Sequence, residues 1–369
     1  MKPCLILFDI DETLYFNEQR QIPNSTMVAI SKLKLAGHTL AIATGRSPSE
    51  LMTVIKELPV DFFIMSNGQL VLKDNKIIYE NPIDKELIKE ILTQANSTGV
   101  HLGFSTINNS VVTGLTPQMA KNFAKYYDNI PTVIDDIESL DSVYQMWYLN
   151  DDLERISESF KDRLRFLPWT SDGSDVVSTG ASKAVGLQQV LAILPDLPRQ
   201  VVFFGDGHND IDLMESASLG IAMGNAVDPL KAIADYVTSD INNNGIYSAC
   251  DFLGLFSNDS ESEQLATAII NLKQQIIDNP LYLNNYLHLK ELYSGFTRNS
   301  LKAIQTLKSA LIHFPENDLL LFEIGAVYEF ELADYDLAKK YYELTLIHNP
   351  DHQLATDALA ALKLKVFKQ

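Results

Sequence analysis

The last third of the chain repeats itself every 35 residues, and this limits its fold more tightly than any other feature of the sequence. Ile276-Ile277-Asp278-Asn279-Pro280, Leu311-Ile312-His313-Phe314-Pro315 and Leu346-Ile347-His348-Asn349-Pro350 are spaced by that step. Ala268, Ala303 and Ala338 keep the same register, as do Leu272, Leu307 and Tyr342; Tyr293 recurs as Tyr328 and Leu289 as Ile324. Each unit offers two amphipathic stretches of helical length, with proline closing the second. A small residue where helices cross, and a large apolar one four positions on, suit a helical hairpin that packs on its neighbour. The expectation is two full repeats, Leu281–Pro315 and Glu316–Pro350, flanked by a preceding half-repeat and a closing helix over about Asp351–Lys368. The polar stretch Ser257-Asn258-Asp259-Ser260-Glu261-Ser262 reads as the linker before them.

Ahead of that linker the pattern changes. Short β-branched or apolar runs (Cys4–Phe8, Thr39–Ala43, Phe62–Met65, Val201–Phe204, Leu219–Ala222) alternate with helical stretches, which argues for a parallel α/β sheet. Between about Ile83 and Val176 the order differs: amphipathic helices such as Lys85–Ser97 mix with alternating strands such as Val143–Leu149. A smaller α+β domain inserted into the α/β core fits this. The expected division is therefore core 1–82, insert 83–176, core 177–256 and helical repeats 257–369.

Composition narrows the classes of function. With 48 acidic against 29 basic side chains the net charge is −19, which disfavours both nucleic acid and an anionic membrane surface as partners. The two cysteines, Cys4 and Cys250, make neither a disulfide framework nor a zinc-ligand spacing. The apolar run at the start is too short for a signal peptide, and no stretch approaches the ~20 apolar residues of a spanning helix. The reading is a soluble, cytoplasmic protein.

The first apolar run ends in Phe8-Asp9-Ile10-Asp11-Glu12-Thr13. Two carboxylates just past a buried strand are costly unless something neutralises them, and the carboxyl end of a strand is where open α/β sheets bind ligands. Taken alone, a solvated acidic turn explains them too. Three further segments change the weighting. Ala43-Thr44-Gly45-Arg46 offers a hydroxyl and backbone amides for a phosphate. Ser182-Lys183 opens a helix with an ammonium group, and Gly205-Asp206-Gly207-His208-Asn209-Asp210 is a second acidic strand end. Carboxylates from two strand ends make a hard-oxygen site suited to Mg²⁺.

Together these segments resemble the four motifs of the haloacid dehalogenase (HAD) superfamily of phosphotransferases, in the order and spacing of its Cof-type subfamily. The resemblance covers about residues 1–255 and implies a Rossmann-like core with a cap inserted between the second and third motifs. Carried onto this chain, it implies Asp9 as nucleophile, forming an aspartyl-phosphate, and Asp11 as general acid/base. It implies Thr44 and Lys183 as catalytic groups on the phosphoryl oxygens, and Ile10, Gly45, Arg46 and Asn209 as phosphate- or substrate-side contacts. Mg²⁺ would be held by Asp9, Asp206, the backbone carbonyl of Asp11, and Asp210 directly or through water. The helical third is similar to the tetratricopeptide repeat (TPR): Gly325, Tyr328, Ala338, Tyr342 and Pro350 fit its motif with one extra residue in the inter-helix turn. Lys290 and Thr345 depart from it at positions usually occupied by small residues.

Other residues carry open readings. Glu12 replaces the glycine that commonly follows the second aspartate, and is expected to point outward. Arg46 clamps substrate or pairs with a local acid; His208 is more often a solvated loop residue than a ligand. Asn67-Gly68 faces the phosphate or simply makes a tight turn before a hairpin. Trp147 and Trp169 read as core or cap surface, and Ser171-Asp172-Gly173-Ser174-Asp175 as candidate substrate contacts of the insert. The leading function is an Mg²⁺-dependent phosphatase of small phosphorylated metabolites. The alternative is a weakly catalytic or non-catalytic phosphometabolite sensor that binds a protein partner through the repeats. Packing on the core or self-association is an equal reading of the repeats. A phosphomutase is permitted by the carboxylate pair and disfavoured by the cap type.

Overall fold

The computed structural model describes residues 3–127, 130–149, 158–170, 173–194, 200–256, 261–297 and 299–366. Strand β1 (Leu5–Phe8) is buried along its whole length, as a Leu-Ile-Leu-Phe run in the middle of a parallel sheet must be. The chain returns through α1 (Asn24–Leu35) to β2 (Thr39–Ala43), parallel to β1 with Phe8 opposite Ile42. After α2 (Thr53–Lys56), β3 (Phe62–Met65) lies parallel on β2, and β4 (Leu70–Lys73) and β5 (Lys76–Glu80) extend the sheet as an antiparallel pair. Ser66, Asn67 and Gly68 all have positive φ (49°, 52° and 90°) and turn β3 into β4. A Cβ on Gly68 would sit 1.9 Å from the Ser182 carbonyl oxygen, so glycine alone fits that crossing.

The insert opens with α3 (Lys85–Thr98), whose first amides are capped by the Asp84 carboxylate and which ends at left-handed Gly99. It continues through β6 (Gly103–Ser105), β7 (Ser110–Val112), α4 (Pro117–Tyr126), β8 (Thr132–Val133), β9 (Gln145–Tyr148), β10 (Leu164–Thr170) and β11 (Gly173–Ser178). These strands form a second sheet in the order β10-β11-β9-β6-β7-β8. Its apolar face, with Phe104, Met146 and Val176, packs on Ile88 and Ile91 of α3. Trp147 is 1% exposed and stacks at a tilt on Phe123, which makes it core. The side chain of Trp169, and residues Ser171 and Asp172, lie outside the described residues.

The chain then re-enters the first sheet. Helix α5 (Lys183–Ala192), N-capped by the Ser182 hydroxyl, leads to β12 (Val201–Gly205), which pairs with the free side of β1. Helix α6 (Ile211–Ser216), β13 (Leu219–Ala222), α7 (Asp228–Ile233), β14 (Tyr236–Val237) and α8 (Gly245–Phe252) complete it. The sheet order is β14-β13-β12-β1-β2-β3-β4-β5. Because β1 lies between β12 and β2, the chain leaves its carboxyl end to opposite sides, and a crevice opens there.

Among the described residues six further helices follow: α9 (Glu261–Asp278), α10 (Leu283–Glu291, prolonged by a π turn over Leu292–Phe296), α11 (Ser300–His313), α12 (Asp318–Phe330), α13 (Tyr335–His348) and α14 (Gln353–Val366). Each packs on the next. Residues Ser257–Ser260 of the expected linker lie outside the described residues; Glu261 and Ser262 already belong to α9, a first turn that tolerates both residue types. A Cβ on Gly325 would lie 2.7 Å from the Tyr342 ring, so the ring requires the glycine. One repeat earlier the same pair is Lys290 and Leu307, and Lys290 reaches out to Glu323 at 2.6 Å instead. Buried Thr345 donates its hydroxyl to the Tyr341 carbonyl, which accommodates the second departure.

The helices are not a tethered appendage. Ile269 and Ile270, Leu289, Tyr293 and Ala303 share one apolar core with the large sheet. At this junction Asp235, 1% exposed, accepts from the Tyr293 hydroxyl at 2.6 Å, the Gly220 amide at 2.7 Å and the Lys273 ammonium at 3.1 Å. Asn299 donates to the carbonyls of Ala234 (2.6 Å) and Lys231 (3.2 Å), and Lys302 to that of Ile233 (2.6 Å). Among the described residues no helix is long and apolar enough to cross a membrane.

Candidate active site

The amide of Asp9 still donates to the Phe204 carbonyl at 2.9 Å, so the ladder between β1 and β12 runs one residue past the strand and fixes that carboxylate at the sheet's edge. The next carbonyl, that of Ile10, accepts from the amides of Thr13, Leu14 and Tyr15 and closes a tight turn. The Ile10 side chain is fully buried in the core below. A phosphate-side contact by Ile10 would therefore run through its backbone. Glu12 takes φ 58°, which explains why glycine is usual after the second aspartate. Its carboxylate accepts from the Asn17 amide at 3.2 Å and lines the cavity over Asp9, half-buried, rather than pointing into solvent as expected.

Four elements converge on Asp9. From α5, Lys183 is fully buried and donates to Asp9 and to Asp210, each at 2.6 Å. Asp210 is spoken for at its other oxygen too, which accepts from the amides of Asp206 and Gly207 at 2.9 Å. Asp206 accepts from the Thr13 hydroxyl at 2.9 Å. Buried Thr44, whose amide donates to Ile64 of β3, accepts from the Arg46 amide at 3.0 Å. One oxygen each of Asp9, Asp206 and Asp210 lies within 4.8 Å of the others. Asp11 is not in that group; both of its oxygens are held by the Arg46 guanidinium, at 2.6 and 2.8 Å.

The charges obey this geometry. Burial above all pushes the Asp9 carboxyl up to about 7; Lys183 opposes the shift, and the carboxylates of Asp210 and Asp11 add to it. Asp206 is raised well above the ordinary range by burial, then by Asp9 and Asp210. Burial would also raise Asp11, but the Arg46 fork outweighs it and holds that carboxyl below its usual value. Desolvation alone would lower Lys183, yet Asp210 and Asp9 keep it well above an ordinary lysine. Mutually repelling carboxylates that one ammonium only partly neutralises are a donor set that a hard divalent cation fits. With Asp210 committed to Lys183 and two amides, Asp9 and Asp206 are the carboxylates placed to bind it directly.

The insert roofs this crevice. Asn209 donates to Asn67 at 3.0 Å, and Asn67 donates in turn to Gln145 of β9 and Asp175 of β11, each at 2.9 Å. Tyr127, just past α4, lies 4.7 Å from the Arg46 guanidinium with its ring face-on. The Ser105 hydroxyl donates to Glu50 at 2.6 Å, and Arg165 pairs with Asp212 at 2.6 Å. Beneath the roof is a cavity of about 220 Å³ bounded by Asp9, Asp11, Arg46, Tyr127, Asp175 and Asp206, room for a metabolite rather than a protein loop. His208 is exposed and outside it. Asn67 both makes the turn and bridges core to cap, while Asn209 meets Asn67. Tyr127 and Gln145 were not singled out from sequence. The only hint for Tyr127 was a pair of tyrosines at the end of an amphipathic helix.

A family profile of haloacid dehalogenase-like hydrolases matches residues 6–250. A Bacillus subtilis (strain 168) protein named "Putative phosphatase YkrA" is 34% identical over 259 residues, covering 69% of this chain and 99% of its own length. Among solved structures, one described as the HAD subclass IIB sugar phosphatase BT4131 superposes with a TM-score of 0.63 at 30% identity, covering 68% of this chain and 99% of its own. Another, from a study of phosphatases in that superfamily, is BT1666 from Bacteroides thetaiotaomicron, with a TM-score of 0.63 at 28% identity, covering 69% and 96%. The helices from α9 onward lie beyond the matched profile.

Proposed function

Since the chain belongs to the haloacid dehalogenase-like hydrolases and is a phosphoric monoester hydrolase, we propose that it hydrolyses small phosphomonoesters through an aspartyl-phosphate on Asp9. The observation that carries this reading is the convergence of Asp9, Lys183, Asp206 and Asp210 under a roofed, metabolite-sized cavity. An Asp9 oxygen attacks phosphorus, the P–O bond to the leaving group breaks, and the leaving oxygen takes a proton from Asp11. Water then attacks phosphorus, Asp11 accepts its proton, and Asp9 is regenerated as phosphate departs. Lys183 offsets the repulsion between the attacking carboxylate and the phosphoryl oxygens, and Thr44 with the amides around Gly45 orients them. Mg²⁺, held by Asp9 and Asp206 with Asp210 behind them, would supply charge neutralisation at the phosphoryl oxygens.

Arg46 sets a condition on this cycle. Its grip keeps Asp11 ionised, which suits the water step. For the first step Asp11 must gain a proton, so Arg46 turns from Asp11 to the bound ester as substrate enters. We read the helices after residue 261 as TPR-like hairpins, a reading supported by the 35-residue register and the Gly325–Tyr342 fit. The test is phosphate release from a panel of small phosphomonoesters with Mg²⁺ or with EDTA. Turnover should require the metal and fall by roughly 10³-fold or more in Asp9→Asn. A fully active Asp9→Asn protein would sink the nucleophile assignment.

A further inference from the structure

Helix α7 stands between the C-terminal helices and the loops that carry the carboxylates. At its amino end the Val227 amide donates to the Asp206 carbonyl at 2.9 Å, and the Asn225 side chain donates to the Glu12 carbonyl at 2.8 Å. Those carbonyls belong to the loops after β12 and β1, so one short segment ties the loop of Asp206 to the loop of Asp9. With six residues α7 is only about 9 Å long and cannot pair its own last carbonyls. Asn299 meets two of them, those of Lys231 and Ala234, and Lys302 meets that of Ile233.

The internal repeat shows that a helical hairpin does not itself call for these two side chains. Thirty-five residues on, the same positions hold Asp334 and Leu337. Asp334 caps α13 by accepting from the Leu337 amide at 3.0 Å, as Asn299 caps α11 by accepting from the Lys302 amide at 3.0 Å. A cap needs only an acceptor, so a carboxylate would serve α11 equally well. What asparagine adds is an amide nitrogen with two N–H donors, and both go to α7. At the second position the next repeat has an apolar, partly buried leucine, whereas here an ammonium reaches out to α7. Two donors thus replace an acid and an apolar residue at the one repeat that faces the open end of α7.

We propose that Asn299 and Lys302 are positioning residues for the divalent-cation site, acting through α7 on the loop of Asp206. On this assignment the C-terminal helices set how tightly Asp9 and Asp206 hold the metal. Removing either side chain leaves carbonyls of α7 without a donor, which is costly away from water, and a helix this short relieves the cost by shifting. The Val227 amide passes that shift to the Asp206 carbonyl. The assignment rests on the metal-site reading above. It adds a point of control in a part of the chain beyond the matched family profile.

The experiment titrates the full chain with Mn²⁺, a paramagnetic substitute for Mg²⁺, and follows free Mn²⁺ by electron paramagnetic resonance with no substrate present. The wild type should bind the ion, and Asp206→Asn, which removes a ligand, should abolish or greatly weaken that binding and so identify the site. Asn299→Ser keeps a capping oxygen for α11 and loses both donors to α7; Lys302→Met keeps the length and loses the ammonium. Each should weaken Mn²⁺ binding by roughly three- to ten-fold, less than the roughly 10–100-fold typical of residues that touch a metal ligand directly. Lys302→Arg retains a donor and should stay within about two-fold of the wild type. Lys290→Gln breaks an ion pair to Glu323 within the helices, controls for general loosening, and should bind as the wild type does. Circular dichroism establishes that each variant is folded; should Asn299→Ser fold poorly, the comparison of Lys302→Met with Lys302→Arg carries the test. Unchanged affinity in the folded variants, or equal weakening in Lys290→Gln, overturns the proposal and leaves the metal site standing. No binding by the wild type, or binding that Asp206→Asn leaves intact, overturns the metal-site reading and this one with it.

Discussion

Replacing Tyr293 by phenylalanine removes one oxygen from the junction between the sheet and the helices, and its effect can be worked out from the contacts. The hydroxyl donates at 2.6 Å to Asp235, which is 1% exposed. Burial would raise that carboxyl, but the ammonium groups of Lys273 and Lys302, the Tyr293 hydroxyl and the Gly220 amide together hold it below the ordinary range. A hydrogen bond to a charged group is worth about 1.5–3 kcal/mol, and Asp235 keeps Lys273 and Gly220 as partners, so the loss should fall in that range. The assay is urea unfolding followed by far-UV circular dichroism, weighted to the helices, and by the fluorescence of Trp147 and Trp169, both in the cap segment. If cap, sheet and helices unfold as one unit, both signals should shift together in Tyr293→Phe; a shift of the dichroism alone would mean that the cap unfolds on its own. The sign with pH is fixed as well. A carboxyl depressed in the folded state contributes stability that is present above its unfolded value near pH 4 and is lost as pH falls through the lower folded value. The difference between wild type and Tyr293→Phe should therefore shrink below about pH 4. A variant as stable as wild type at pH 7 would refute the argument that the junction is a buried, charge-assisted lock.

Two further outcomes follow from single residues. His38, 3% exposed, lies between the Cys4 amide and the Leu255 carbonyl, and burial holds its pKa below the usual value. Such a histidine is needed neutral: its stabilisation is complete above the unfolded value near pH 6.5 and is lost as pH falls from there toward the folded value, by at most about 1.4 kcal/mol per pH unit; urea unfolding at successive pH values should show the slope in wild type and a flatter one in His38→Gln. Glu12→Gly relieves a left-handed side chain at a cost of only one acceptor for the Asn17 amide, so it should raise stability by about 0.5–1 kcal/mol in thermal or urea melts; a destabilised variant would mean that the Asn17 contact outweighs the strain.

What was readable beforehand follows from which forces are local. A central parallel strand is buried on both faces, so β1, β2, β3, β12 and β13 appear as unbroken apolar runs. Carboxylates placed directly after such runs stand out for the same reason, as with Asp9 and Asp206. The 35-residue register was equally visible, because each hairpin needs the same small and large residues where it meets the next. The roof of the cavity was visible only in pieces. Asn67 and Asp175 stood in candidate segments, but Asn67 meets Gln145 and Asp175 across 78 and 108 residues of chain, and no local pattern announces that pairing or singles out Gln145. Glu12 was misjudged because the reason for the usual glycine there, a positive φ, also sets where a side chain at that position must point.

Asp235 was hidden in the same way, in an unremarkable Ala234-Asp235-Tyr236, yet it lies next to the element that joins the helices to the chemistry. Helix α7 has only six residues and cannot satisfy its own ends. At its start the Val227 amide donates to the carbonyl of Asp206, and nearby Asn225 donates to that of Glu12. At its far end the carbonyls of Lys231, Ile233 and Ala234 accept from Asn299 and Lys302 of the helical repeats. The loop that presents Asp206 is thus braced through a short helix whose last carbonyls are completed by residues some 65 to 70 positions further along the chain. In relatives that end where the family profile ends, something else must meet those carbonyls. In this chain the C-terminal helices do, and that gives them a part in holding the edge of the sheet that carries Asp206 before any partner is considered.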